Sequence, residues 1–162
     1  MNNTYIDLLI DNLLTSGTIA ASEICSADMD LNDVGSHGRT LLMVAACEGM
    51  HETVDTLVKH GASVNAVGTS GMTALHEASS NGHALTALRL LELGATVDRE
   101  TDDGVTPFMC AAAWGHVDVA KLLLCHGANS EHADQTGATA MDIASEKGEQ
   151  EFVEFLNSFK KT

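Results

Sequence analysis

The sequence predicts an all-α solenoid of stacked helix-turn-helix units with β-turn loops projecting from one edge. Three observations carry this reading. Gly38, Gly71, Gly104 and Gly137 recur at a constant step of 33 residues, and Gly49, Gly82, Gly115 and Gly148 keep the same step. Thr40, Thr73, Thr106 and Thr139 each stand two residues after the first glycine of the set. Of the 162 residues, 44% are hydrophobic but only 4% aromatic, with a single proline, so the core must be built from Ala, Leu, Val, Ile and Met on helices. A repeat of this length is one supersecondary unit that buries its apolar face only against its neighbours.

Taken in order, residues 1–37 read as a degenerate capping unit. YIDLLIDNLL gives one helix with Ile6, Leu9, Ile10, Leu13 and Leu14 apolar, and TIAASEICSA gives a second. DMDLN at 28–32 then aligns with GASVN at 61–65. Three full units follow at 38–70, 71–103 and 104–136. In each, the threonine is a helix N-cap, because its hydroxyl can accept from an orphan backbone N–H. Pro107 follows one of them at a position where its missing N–H does no harm. The first helix spans 41–48 and its copies, with small pairs Ala45-Ala46, Ala78-Ser79, Ala111-Ala112 and Ala144-Ser145 that let helices approach closely. A glycine able to turn left-handed ends it. The second helix carries Val54/Leu57/Val58, Ala87/Leu90/Leu91 and Ala120/Leu123/Leu124 at helical spacing, and stops at Gly61, Gly94 and Gly127. A stretch rich in Gly, Thr, Asp and Ser then makes the projecting turn. Residues 137–162 form the C-terminal cap, with Phe152, Phe155, Leu156 and Phe159 on one face and Lys160 and Lys161 at the helix end, where cations suit the dipole. With both ends capped, the chain is expected to be a whole protein forming one domain.

The units GMTALH at 71–76 and GVTPFM at 104–109, the Gly-His pairs at 82–83 and 115–116, and the endings LLELGATVD and LLLCHGANS resemble the ankyrin repeat family over roughly residues 28–159. The resemblance implies a non-catalytic module that binds other proteins on a concave surface made by the turn tips and the exposed side of the first helices. It also implies a turn-stabilising imidazole at His76, which Met43, Met109 and Asp142 replace in the other units. Pro appears at its family position only in the third unit, and Thr53 and Thr86 stand at an apolar family position. The array is therefore expected to be less stable than an idealised one.

Charge narrows the partners. Asp and Glu number 23 against 8 Lys and Arg, a formal charge of −15, which opposes binding to nucleic acid or to an anionic membrane. No window approaches 18 consecutive apolar residues, and the N-terminus lacks the basic region of a signal peptide. Cys25, Cys47, Cys110 and Cys125 stand singly, which suits a reducing compartment such as the cytoplasm, with the nucleus as the eukaryotic alternative. Cys47 is expected to be an inert surface thiol beside Glu48, while Cys25 and Cys110 fall in core register. No P-loop, dinucleotide fingerprint, nucleophile elbow or His-Glu-x-x-His is present, so no catalytic residue or cofactor is assigned. His60 and His126 share a register two units apart, about 20 Å at ordinary helix spacing, too far for one metal ion.

Carrying the family's concave register over residue by residue gives the candidate partner-binding set: Trp114, Met72, Val105, Arg39, Asn81, Asp102, Asp103, Glu48, Ser80 and His126. Trp114 is the informative member. Glu48, Asn81 and Lys147 hold its register in the other units, all polar, which argues exposure for the only tryptophan. Trp is also enriched at interface hot spots. Met72 and Val105 would extend an apolar strip from it, inside an acidic rim suited to a partner with a basic face. The expected function is a monomeric adaptor or scaffold. The alternatives are a stoichiometric inhibitor of an enzyme or toxin, and a thiol sensor using Cys47.

Overall fold

A computed structural model describes residues 3–16 and 30–159. Helix α1 spans Asn3–Ser16. Four helix pairs follow: α2 (Leu41–Cys47) with α3 (His51–Lys59), α4 (Ala74–Ser80) with α5 (Ala84–Glu92), α6 (Pro107–Ala113) with α7 (Val117–Cys125), and α8 (Ala140–Lys147) with α9 (Gln150–Phe159). The first helices pack in chain order, α1 on α2, α2 on α4, α4 on α6 and α6 on α8, as an inner layer. Helices α3, α5, α7 and α9 stack as an outer layer behind them. Among the described residues there is no strand beyond one isolated bridge between Ala133 and Thr139. The expected all-α repeat solenoid is what forms.

The capping threonines work as the sequence predicts. The Oγ1 atoms of Thr40, Thr106 and Thr139 accept from the N–H groups of Met43, Met109 and Asp142 at 3.3, 3.4 and 3.4 Å. His76 does more than cap its helix. Its Nδ1 accepts from the Thr73 N–H at 3.2 Å, while Nε2 donates to the Val105 carbonyl at 3.1 Å in the next unit. Asp142 rebuilds half of this device, since its Oδ2 accepts from the Thr139 N–H at 2.9 Å. A carboxylate has no N–H with which to make the other half.

Between the helices of a pair the chain reverses at a glycine. Gly82 has φ +73, and a Cβ there would lie 2.7 Å from His116 Nδ1. That imidazole reaches back one unit to donate from Nε2 to the Ser80 carbonyl at 3.1 Å. His83 does the same to the Cys47 carbonyl at 2.9 Å. The Gly-His pairs are thus tie-rods between neighbouring units as well as helix ends.

The projecting turns are hairpins with one pattern: the N–H of Gly35, Gly68, Thr101 and Asp134 donates to the carbonyl of Arg39, Met72, Val105 and Ala138, respectively. Their tips are joined in series. Thr69 N–H donates to the Gly38 carbonyl at 2.9 Å, Asp102 to Ser70 at 3.0 Å and Gln135 to Asp103 at 3.1 Å. A second line of bonds runs behind them. Asn32 Oδ1 accepts from Ser63 N–H at 2.7 Å, Asn65 Oδ1 from Thr96 at 2.8 Å and Asp98 from Asn129 at 3.1 Å. Asn32 therefore makes the bond that its alignment with Asn65 anticipates.

The core is continuous from Ile6 to Leu156. Ala45, Ala46, Ala78, Ser79, Ala111, Ala112 and Ala144 are buried between the inner helices. Phe108 and Phe152 pack with ring centroids 5.9 Å apart. At the two ends the apolar faces are only partly covered. Leu14 is 51% exposed, since Ile6, Leu9, Ile10 and Leu13 fill the buried stripe without it. In α9 only Phe152 and Leu156 are buried; Phe155 is half-buried, and Phe159 is 48% exposed at the edge of the outer layer, beside Leu124 and Cys125 of α7. The helix expected in TIAASEICSA, Cys25, and the terminal Lys160 and Lys161 lie outside the described residues.

Candidate functional site

The four inner helices of the repeated pairs end in one row. Glu48, Asn81 and Trp114 are the residues that close α2, α4 and α6, and Lys147 is the last residue of α8. All four side chains are exposed, as their mixed polarity predicts. Trp114 is 65% exposed, the largest value among the exposed large hydrophobic side chains. Its backbone (φ −121, ψ 9) has left the helical region before Gly115 reverses the chain.

Beside this row the structure departs from expectation. Met72 and Val105 are half-buried and pack on the core, because each closes a hairpin whose backbone bonds hold it against the helices. They make a shallow shelf rather than a protruding apolar strip. Ser80 is half-buried as well, and its carbonyl is taken by His116. His126 is exposed, but it closes α7 in the outer layer. Three residues join α6 to α7, so α7 folds back, and its nine residues carry His126 about 13 Å away from Trp114. The structure does not bring His126 into the row. Asp102 and Asp103 are exposed at a turn tip, with their carbonyls engaged by Gln135.

Between the first and second units lies a cluster the sequence reading missed. Arg39 Nε contacts Glu77 Oε1 at 2.9 Å, and the Glu77 side chain is only 5% exposed. Cys47 Sγ lies 3.6 Å from Asn81 Nδ2 and 3.9 Å from Arg39 Nη1. The signal was available: Val44, Glu77, Cys110 and Ile143 share one register, and a carboxylate among three apolar residues there has to find a partner. Burial raises the Glu77 carboxyl above its usual range, and Arg39 pulls it partly back. Burial also raises the Cys47 thiol, with Glu77 next and Glu48 a lesser contributor. Cys47 is thus half-buried rather than freely exposed, and burial rather than the adjacent Glu48 is the main cause that raises its thiol. Burial pushes the Cys110 thiol up to about 11.

Two other cations are paired internally. Arg89 grips both Asp55 oxygens at 2.9 Å and also bonds Glu92, and Lys121 lies 3.6 Å from Asp118. Among the described residues, no group of three or more His, Cys, Asp or Glu is placed to hold a metal ion. No helix among them is long and apolar enough to cross a membrane.

A family model described as ankyrin repeats, in three copies, matches residues 3–101 and 85–161. No curated protein matches the chain.

Proposed function

Because the chain belongs to the ankyrin repeat family, whose repeats are generally protein–protein interaction modules, we propose that it is a non-catalytic binding module holding a protein partner on its inner face around Trp114. The observation that carries this reading is the 65% exposure of the only tryptophan, in a row where the other units place Glu48, Asn81 and Lys147. A large ring left in water contributes nothing to the core, and it offers a rigid amphipathic contact at low entropic cost. The stacked helices fix the row before binding, so little order has to be created on association. Glu48, Asn81, Asp102 and Asp103 form the polar rim, with Met72 and Val105 as its apolar shelf. Arg39 acts through Glu77 by fixing the first hairpin.

The charge of −15 supports a partner with a basic face. The free thiols of Cys47, Cys110 and Cys125 support a reducing compartment, cytoplasm first. The Asn32 bond supports residues 1–37 as a degenerate capping unit ahead of units at 38–70, 71–103, 104–136 and 137–162. The chain works as a monomer when free.

The test is parallel capture with the wild type and Trp114→Ala, followed by affinity measurement on the protein retained. Losing a hot spot of about 2 kcal/mol weakens binding roughly thirtyfold. The melting temperature should move by less than about 2 °C, because the side chain is mostly in water. Equal affinity of both forms refutes the role given to Trp114.

A further inference from the structure

At the N-terminal end of the inner face, between α1, α2 and the first hairpin, lies a pocket of about 390 Å³. Ile10 and Val44 make its apolar floor, and the half-exposed Leu14 makes a wall. Asp7, Asp11 and Glu48 stand around it. These carboxylates are not equivalent. Asp7 Oδ1 already accepts from the Ser36 N–H at 2.8 Å and from the Ser36 hydroxyl at 3.1 Å, and so holds the hairpin. The exposed Asp11 and Glu48 carboxylates, on two different helices, have no hydrogen bond or ion pair among the described residues. Arg39 and His37 also border the pocket, but the Arg39 charge is committed to the buried Glu77 at 2.9 Å, and His37 Nδ1 is turned to the Ser36 hydroxyl at 3.2 Å. The site therefore combines an apolar trough with uncompensated negative charge at its mouth.

We propose that this pocket receives one arginine or lysine side chain of a protein partner. The aliphatic stem would lie on Ile10, Leu14 and Val44, and the cationic head would reach Asp11 and Glu48. Long basic side chains bury their stems in this way while the charged end stays near water. A neutral aliphatic chain of the same length would satisfy the trough and leave both carboxylates unanswered; an acidic one would be repelled. The proposal extends the reading of a basic partner, and it places a second anchor two 33-residue steps from Trp114.

The experiment titrates N-acetyl-arginine methylamide into the full 162-residue chain and follows backbone amides by 1H–15N NMR. N-acetyl-norleucine and N-acetyl-glutamate methylamides are titrated in parallel. The arginine probe should shift amides around Asp11, Ser36 and Glu48 saturably and less so at high salt, and the other two should leave them in place. Asp11→Asn combined with Glu48→Gln should weaken the response about fivefold or more. Leu14→Ser, which keeps every charge, should weaken it as well. Both variants change exposed side chains, and thermal melts check that they fold. Trp114→Ala should leave the response intact whether or not the Trp114 reading holds, so the two can fail separately. An equal response to norleucine, a response unchanged in the double variant, or no shift near these residues overturns the proposal.

Discussion

Removing Arg39 should destabilise the protein in a pH-dependent way. Arg39→Ala leaves the Glu77 carboxylate, 5% exposed, without its cation. Losing one partner of a fully buried pair costs about 3–5 kcal/mol, and losing one of an exposed pair costs up to about 1 kcal/mol. The Arg39 side chain is 45% exposed, so the cost falls between these limits, at about 2 kcal/mol. In a domain of this size that lowers the melting temperature by roughly 4–8 °C. The sign of the pH effect follows from Glu77. Its folded pKa is already raised by burial and opposed by Arg39, so losing Arg39 raises it further. A raised carboxyl gives stability that is fully present below its unfolded pKa and lost as pH climbs through the folded one. The gap between wild type and variant should therefore be wide at pH 7.5 and narrow at pH 5, measured by urea unfolding at both. Adding Glu77→Gln to Arg39→Ala should recover most of the loss at pH 7.5. An equal gap at both pH values refutes the reasoning, because the loss would then come from packing rather than from an abandoned charge.

Other outcomes follow from the same geometry. His76→Ala should cost about 2–3 kcal/mol, since it orphans the Val105 carbonyl and the Thr73 N–H around a fully buried ring. Burial lowers His76 to about 4, so the wild type should lose stability as pH falls from about 6.5 through 4, and His76→Gln should flatten that slope in urea titrations. Ser79→Ala should stabilise by about 1 kcal/mol, because the buried Ser79 hydroxyl has no hydrogen-bond partner among the described residues and Ala46 and Ala112 fill its register elsewhere. Mass-resolved thiol labelling at pH 7.5 should mark the exposed Cys125 first, Cys47 more slowly and Cys110 last. Glu77→Gln should speed Cys47, and Cys110 to a lesser extent, by removing an anion that raises both thiols, and should leave Cys125 unchanged.

How much could be read in advance differed by the kind of interaction. The period, the threonine caps and the helix-ending glycines are local, so the sequence states them directly. Asn32 was recoverable too, because its partner bond depends only on its distance from Asn65. Exposure in the Trp114 row was legible because Glu48, Asn81 and Lys147 vote on one environment. What failed depended on third parties. The register alone could not say that Met72 and Val105 lean onto the core, since their hairpins decide it. It placed His126 beside Trp114 without the antiparallel fold-back that separates them. Glu77 was missed because it sits where its neighbours in register are apolar, and its partner comes from a hairpin 38 residues upstream.

The serial bonds between hairpin tips have a mechanical corollary. Each unit is fastened only to the one before and the one after, through a tip bond, a side-chain bond from the Asn32, Asn65 and Asp98 line, and a tie-rod such as His83 or His116. Under tension applied along the stack, no fastener among the described residues spans two junctions, so load is not shared across them. The protein should come apart as a zip does, one tooth at a time. Each 33-residue tooth would pay out about 11 nm of chain, less the roughly 1 nm it occupied when folded.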